Sequence, residues 1–81
     1  MDYNRLKWAS RRGMLELDLI LQPFVEKVYP NLNSELQNDF ADLLLCEDQD
    51  LFSWLLSREE PKAENLLLMV RMIREYAQKK S

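Results

Sequence analysis

Met14-Leu15-Glu16-Leu17-Asp18-Leu19-Ile20-Leu21-Gln22-Pro23-Phe24-Val25-Glu26-Lys27-Val28 is the stretch that decides the fold. Leu17, Ile20, Leu21, Phe24 and Val28 recur at the spacing of one helix face, while Leu15, Leu19 and Val25 widen the apolar surface well beyond a stripe. A helix this apolar belongs at the centre of a helical domain, with other helices laid around it. Pro23 removes one rung of its hydrogen-bond ladder and predicts a kink, and Pro30 helps to end it.

Working outward, no segment shows sustained alternation, so the chain reads as all-α. Asp2 is placed to cap a first short helix running to about Arg12, with Leu6 and Trp8 as its apolar members. Arg11 and Arg12 then fall where a helix C-terminus favours positive charge, and Gly13 at the left-handed C′ position. Asn33 or Ser34 caps a third helix to about Cys46, with Leu36, Phe40, Leu43 and Leu44 inward and Glu35, Asp39 and Asp42 toward water. Asp48 and Asp50 open a fourth, in which Phe52 and Trp54 read as core anchors beside Leu51 and Leu55. Pro61 suits the first turn of a fifth, to about Lys79, with Leu66, Val70, Ile73 and Ala77 inward and Met69 and Met72 as core filling. The expectation is a single domain over residues 1–81: a small compact antiparallel bundle of about five short helices.

The 81 residues include no histidine, one cysteine (Cys46) and one glycine (Gly13). A Ser-His-Asp triad, a His- or Cys-based zinc cage, a disulfide framework and a glycine-rich phosphate loop are therefore excluded by composition. Cys46 reads as a small buried apolar group at a helix end. Residues 1–12 carry a net +3, residues 13–60 a net −9 and residues 61–81 a net +3, so the ends are basic and the middle acidic. An overall charge of −3 does not favour nucleic-acid binding. The polar start and the lack of any apolar run near ~18 residues predict no membrane insertion, and a lone cysteine fits a reducing compartment, so the expectation is a cytoplasmic protein.

Function, if written anywhere, is written in Arg11-Arg12-Gly13-Met14-Leu15-Glu16-Leu17-Asp18. Helix punctuation alone accounts for the arginines, the glycine and Glu16. It does not account for Asp18, flanked by Leu17 and Leu19, where a carboxylate is costly unless paired; an arginine partner is the cheapest rescue. Glu16 and Asp18, two positions apart on a helix, point in different directions and make no acid/base dyad. The alternative is a recognition edge, in which Gly13 lets a partner's backbone approach while arginines and Glu16 make charge-assisted hydrogen bonds to it. Trp8, with Arg5 and Lys7 as neighbours, reads either as core or as an interface aromatic.

Arg5-Leu6-Lys7-Trp8-Ala9-Ser10-Arg11-Arg12-Gly13-Met14-Leu15-Glu16-Leu17-Asp18-Leu19-Ile20-Leu21 resembles the signature of the SdhE/YgfY family, the small FAD assembly factors of succinate dehydrogenase and fumarate reductase. Arg12-Gly13-x-x-Glu16 matches that family's named motif, and Leu43-Leu44, Asp48-x-Asp50-Leu51 and Trp54-Leu55 extend the match to about residue 56. Relatives often carry a glycine after the fourth helix, where this chain has Ser57-Arg58. The resemblance implies a five-helix bundle that binds the flavoprotein subunit and promotes covalent attachment of FAD to that subunit's histidine. It assigns partner binding to Arg12, Gly13 and Glu16, with Arg11, Met14 and Asp18 beside them, and Trp8 joins these as the candidate interface aromatic. On this reading the chain is a non-enzymatic assembly factor, expected as a monomer, with no catalytic residue, no metal and no tightly bound cofactor, FAD belonging to the partner. Two other readings stay open: an antitoxin-like neutraliser of a membrane or cytoskeletal toxin, and an adaptor with a helix-in-groove interface on the Met-rich last helix.

Overall fold

Among the described residues, five helices and one 3-10 turn follow in order: α1 (Tyr3–Ala9), α2 (Leu15–Lys27), the 3-10 turn (Tyr29–Asn31), α3 (Ser34–Leu44), α4 (Asp48–Leu55) and α5 (Glu64–Lys79). The computed structural model describes residues 3–79. Asp2, the expected cap of the first helix, lies outside the described residues. Among them there is no strand, and no helix is long and apolar enough to cross a membrane.

The apolar spacing read from the sequence buries itself in one cluster. Leu17, Leu21, Phe24 and Val25 of α2 meet Phe40, Leu43 and Leu44 of α3, Leu51 and Leu55 of α4, and Met69, Val70 and Ile73 of α5. α2 packs against α1, the 3-10 turn, α4 and α5, which is the central position its apolar width called for, and α5 packs in turn on α3 and α4. Two of the residues that created that width do not join the core: Leu15 and Leu19, one turn apart, are 69% and 66% exposed. α2 runs on through Pro23, whose missing N–H leaves the Leu19 carbonyl without its ladder partner.

An aromatic cluster closes the far end of the core. The ring of Phe24 stacks on Phe40 (5.3 Å between centroids) and meets Tyr76 edge-on (5.9 Å), while Tyr29 leans on Phe40 (5.6 Å). Burial of Tyr29 was not anticipated. The helical spacing Val25…Tyr29 was a signal for it, hidden by Pro30. The chain tightens there into the 3-10 turn, with Asn31 N–H on the Val28 carbonyl (3.0 Å) and Leu32 N–H on that of Tyr29 (3.0 Å).

Helix ends differ from expectation where side chains compete for them. Asn33 is the cap of α3, its Oδ1 accepting from Leu36 N–H at 2.9 Å. α1 stops at Ala9, three residues short of Arg12. α5 begins at Glu64, so Pro61 is a buried residue of the connection rather than its first turn. That connection is fastened from α5 instead: Arg74 Nε donates to the Trp54 carbonyl (2.6 Å), its Nη2 to the Glu59 carbonyl (2.6 Å), and Glu60 pairs with Arg71 (3.3 Å). Phe52 and Trp54 are half-buried, so Leu51 and Leu55 anchor α4; Asp39, expected in water, accepts from Asn65 Nδ2 (3.3 Å). Met69 is fully buried and Met72 half-buried, which leaves α5 without the Met-rich outer face an adaptor would need.

Arg58 has φ 62°, in the left-handed region that favours glycine. This turn lets Glu59 N–H reach back to the Ser53 carbonyl at 2.9 Å. A side chain there costs roughly 1–2 kcal/mol, partly offset because glycine adds about 0.5–1 kcal/mol of unfolded-chain entropy. Arg58→Gly is therefore expected to raise stability by up to about 1 kcal/mol and the melting temperature by a few degrees; thermal melts followed by circular dichroism measure it.

Candidate functional site

The site is built on the five residues that join α1 to α2. Leu6 and Ser10, one turn apart, are both fully buried. Ser10 Oγ donates to the Lys7 carbonyl (2.7 Å) and accepts from Gln22 Nε2 (3.0 Å), which ties the exit of α1 to the middle of α2. Gln22 and the buried Ser10 went unremarked in the sequence, although the Leu6…Ser10 spacing marked the same face.

Arg12 and Asp18 meet here, but not as an ion pair of side chains. The backbone N–H of Arg12 donates to Asp18 Oδ1 at 2.8 Å. Asp18, in the first turn of α2, thus reaches back to an amide just before the helix, a capping arrangement that also places its charge at the positive end of the helix dipole. Met14, the N-cap, offers no side-chain cap and lies half-buried against the core. The expectation that Asp18 needed an arginine was right about the residue and wrong about the atom.

The guanidinium of Arg12 turns inward. Nε donates to Asp48 Oδ1 (2.6 Å), Nη1 to the carbonyls of Ala9 (2.9 Å) and Leu44 (2.8 Å), and Nη2 to that of Cys46 (2.7 Å). Its side chain is only 15% exposed. Ala9 and Leu44 are the last residues of α1 and α3, and Cys46 follows just after, so these carbonyls are the orphan acceptors of helix C-termini.

The other motif residues face outward. Gly13 has φ +78°, a backbone conformation that favours glycine, and a Cβ added to it would meet nothing within 4 Å. It stands beyond the early end of α1, immediately before the α2 N-cap, rather than at the C′ position. Glu16 is exposed on the first turn of α2, its side chain without a hydrogen bond or ion pair among the described residues. Trp8 is 73% exposed with the Arg11 guanidinium 5.8 Å from its ring, and both line a depression of about 220 Å³ with Asn4 and Lys7. The structure therefore presents Trp8, Arg11, Gly13 and Glu16 to solvent and keeps Arg12, Met14 and Asp18 beneath or within the turn. Among the described residues, no group of three or more Cys, Asp or Glu is arranged to hold a metal ion.

This surface can now be set against known proteins. A family model described as the flavinator of succinate dehydrogenase matches residues 4–77. The chain belongs to that family. Its relatives include the FAD assembly factor SdhE of Pseudomonas aeruginosa, 57% identical over 72 residues that span 89% of this chain and 86% of that one. The FAD assembly factor SdhE of Pseudomonas savastanoi pv. phaseolicola is 51% identical over 80 residues, 99% and 95% of the two chains. Among solved structures, the solution structure of a UPF0350 protein matches with a TM-score of 0.77 at 40% identity, covering 95% of this chain and 82% of that one. The flavinator family match spans all five helices, α5 included, where the sequence resemblance had stopped near residue 56.

Cys46 sits half-buried at the edge of this site, its Sγ 3.8 Å from the Asp42 carbonyl. Burial, then the charge of Asp50 and to a lesser degree Asp42, push its thiol above the ordinary value, against an opposing pull from Arg12. The unfolded chain then loses the thiol proton before the folded one does. Stability is expected to hold below the unfolded thiol's pKa of about 8.5 and to fall as pH rises through the raised folded value. Cys46→Ala should remove that component, measured as the difference between the two proteins' denaturation midpoints from pH 7 to 10.

Proposed function

We propose that this chain binds the flavoprotein subunit of succinate dehydrogenase and promotes covalent attachment of FAD to it, as a binding module rather than an enzyme. The observation that carries this reading is the outward placement of Gly13 and Glu16 beside Trp8 and Arg11, in a member of the flavinator family. A glycine whose missing side chain opens onto solvent gives a partner's backbone close access, an exposed carboxylate offers charge-assisted hydrogen bonds, and a large exposed aromatic is the kind of residue that anchors interfaces. Mechanistically, the chain holds the flavoprotein in the conformation that brings its own histidine against the flavin ring. It supplies positioning, which is worth several kcal/mol in bringing reacting groups together, and contributes no reacting group. The flavoprotein of fumarate reductase is a second partner of the same kind, and the working form is a cytoplasmic monomer.

Gly13 tests this reading best, because the left-handed backbone and the open space separate its two possible roles. Asparagine tolerates the left-handed conformation, and its side chain would meet nothing inside the protein. Gly13→Asn is expected to keep a cooperative helical melt close to that of the unaltered chain, yet to lose binding to the flavoprotein subunit and flavinylation in cells lacking the native factor. Full complementation by the folded variant would remove Gly13 from the interface. Glu16→Ala should shift stability by no more than about 1 kcal/mol in thermal melts and weaken partner binding by roughly ten- to hundred-fold in a calorimetric titration, the worth of one hydrogen bond to a charged group.

FAD itself is expected to bind the isolated chain weakly or not at all. The depression beside Trp8 and the cavity between α2, α4 and α5, about 220 and 270 Å³, lie below the roughly 300–1,000 Å³ of ordinary ligand pockets. Sub-micromolar binding in a flavin fluorescence titration would contradict the view that the cofactor belongs to the partner.

A further inference from the structure

We infer that Arg12 and Asp48 are positioning residues for the partner-binding turn: the Arg12 guanidinium locks residues 10–14 onto the corner between α3 and α4 and does not itself touch the partner. This rests on the flavoprotein reading of the surface and assigns a different role to the arginine of the Arg12-Gly13-x-x-Glu16 motif. Of the five N–H donors on a guanidinium, four are engaged, by one carboxylate and three carbonyls. With those bonds made, a side chain 15% exposed keeps a single donor, so any larger contact with a partner would mean dismantling the turn that displays Gly13 and Glu16.

The geometry says what the lock joins. The acceptors Leu44, Cys46 and Asp48 stand 32 to 36 positions along the chain from Arg12. α1 packs chiefly on α2, and these bonds connect its exit to the next layer. A positive group between the C-terminal carbonyls of α1 and α3 is favoured by both of those helix dipoles, and the carboxylate it faces, at the first residue of α4, is favoured by the dipole of α4. Lysine, a point charge on a flexible stem, cannot reproduce a planar fork on acceptors in four directions. The same turn carries Gly13 next in sequence, the Asp18-bound amide of Arg12 itself, and leads straight to Glu16 in the first turn of α2, so its shape decides how those groups face a partner.

The test uses the full chain and the purified flavoprotein subunit of succinate dehydrogenase, with R12K, D48A, D48N and the R12K/D48A double variant. Amide hydrogen exchange, thermal melts and calorimetric affinity are measured for each. The expectation is a cooperative melt throughout, with exchange at residues 10–14 accelerated about tenfold or more in R12K and D48A while Leu43, Val70 and Ile73 keep their protection. Partner affinity should fall about tenfold in both, and the double variant should lose no more than the weaker-binding single one, since the two residues act through each other. D48N, which keeps an acceptor for Nε–H, should lie close to the unaltered chain in exchange and affinity. Weakened binding by R12K with unchanged exchange at residues 10–14 would make Arg12 a contact residue and overturn the inference. Accelerated exchange with unchanged affinity, or additive losses in the double variant, would overturn it equally. Failure of the unaltered chain to bind the flavoprotein is a separate result, which sinks the functional reading and the inference with it.

Discussion

An α-helix that ends leaves its last carbonyls without partners, and this chain has a single glycine with which to turn its helices off. Arginine takes the role instead. Arg12 satisfies carbonyls at the ends of α1 and α3, and Arg74 does the same for Trp54 in α4 and Glu59 beyond it. Each hydrogen bond to a charged group contributes about 1.5–3 kcal/mol, and an unmade one at a desolvated site costs about 1–3. In a protein whose total stability is of the order of 5–15 kcal/mol, two side chains that between them close three helix ends determine the packing of everything they join. With no glycine at that position, an arginine stands at φ 62° after α4, in the turn that carries the bond from Glu59 N–H to the Ser53 carbonyl.

The Arg12–Asp48 pair shows how much of this depends on partners being kept together. Asp48 is about half exposed and Arg12 is not, so solvent screens one side of the pair while the carbonyls hold the other. Removing Asp48 leaves a mostly buried guanidinium short of one acceptor, whereas removing Arg12 leaves a carboxylate that water still reaches. Cys46 registers the same field from nearby, with Asp50 and Asp42 raising its thiol and Arg12 pulling it down.

From this inward arginine comes an outward surface. A contiguous motif divides by direction: Arg12 faces into the protein, while Gly13 and Glu16 face out of it beside Trp8 and Arg11. That division suits the binding role proposed for this chain. What it has to give a partner is a surface of fixed shape, and a surface displayed on a short turn is only as well defined as the bonds beneath that turn.

Helical periodicity is local, and so the sequence by itself determined the all-α class, the five helices and the inward faces of α2, α3 and α5. It also carried the Arg12-Gly13-x-x-Glu16 signature, because a motif is a string. Tertiary structure decided matters that depend on residues far along the chain. Leu15 and Leu19 looked like core and are exposed because no element lies over that face of α2; Trp54 gave way to Leu51 and Leu55; Tyr29 entered the core through a 3-10 turn that Pro30 obscured. Nothing within a few residues of Arg12 says which way its side chain turns, since three of its four acceptors stand more than thirty positions away. Likewise, Asp18 plainly needed a partner, but only the folded turn could supply a backbone amide in place of a guanidinium.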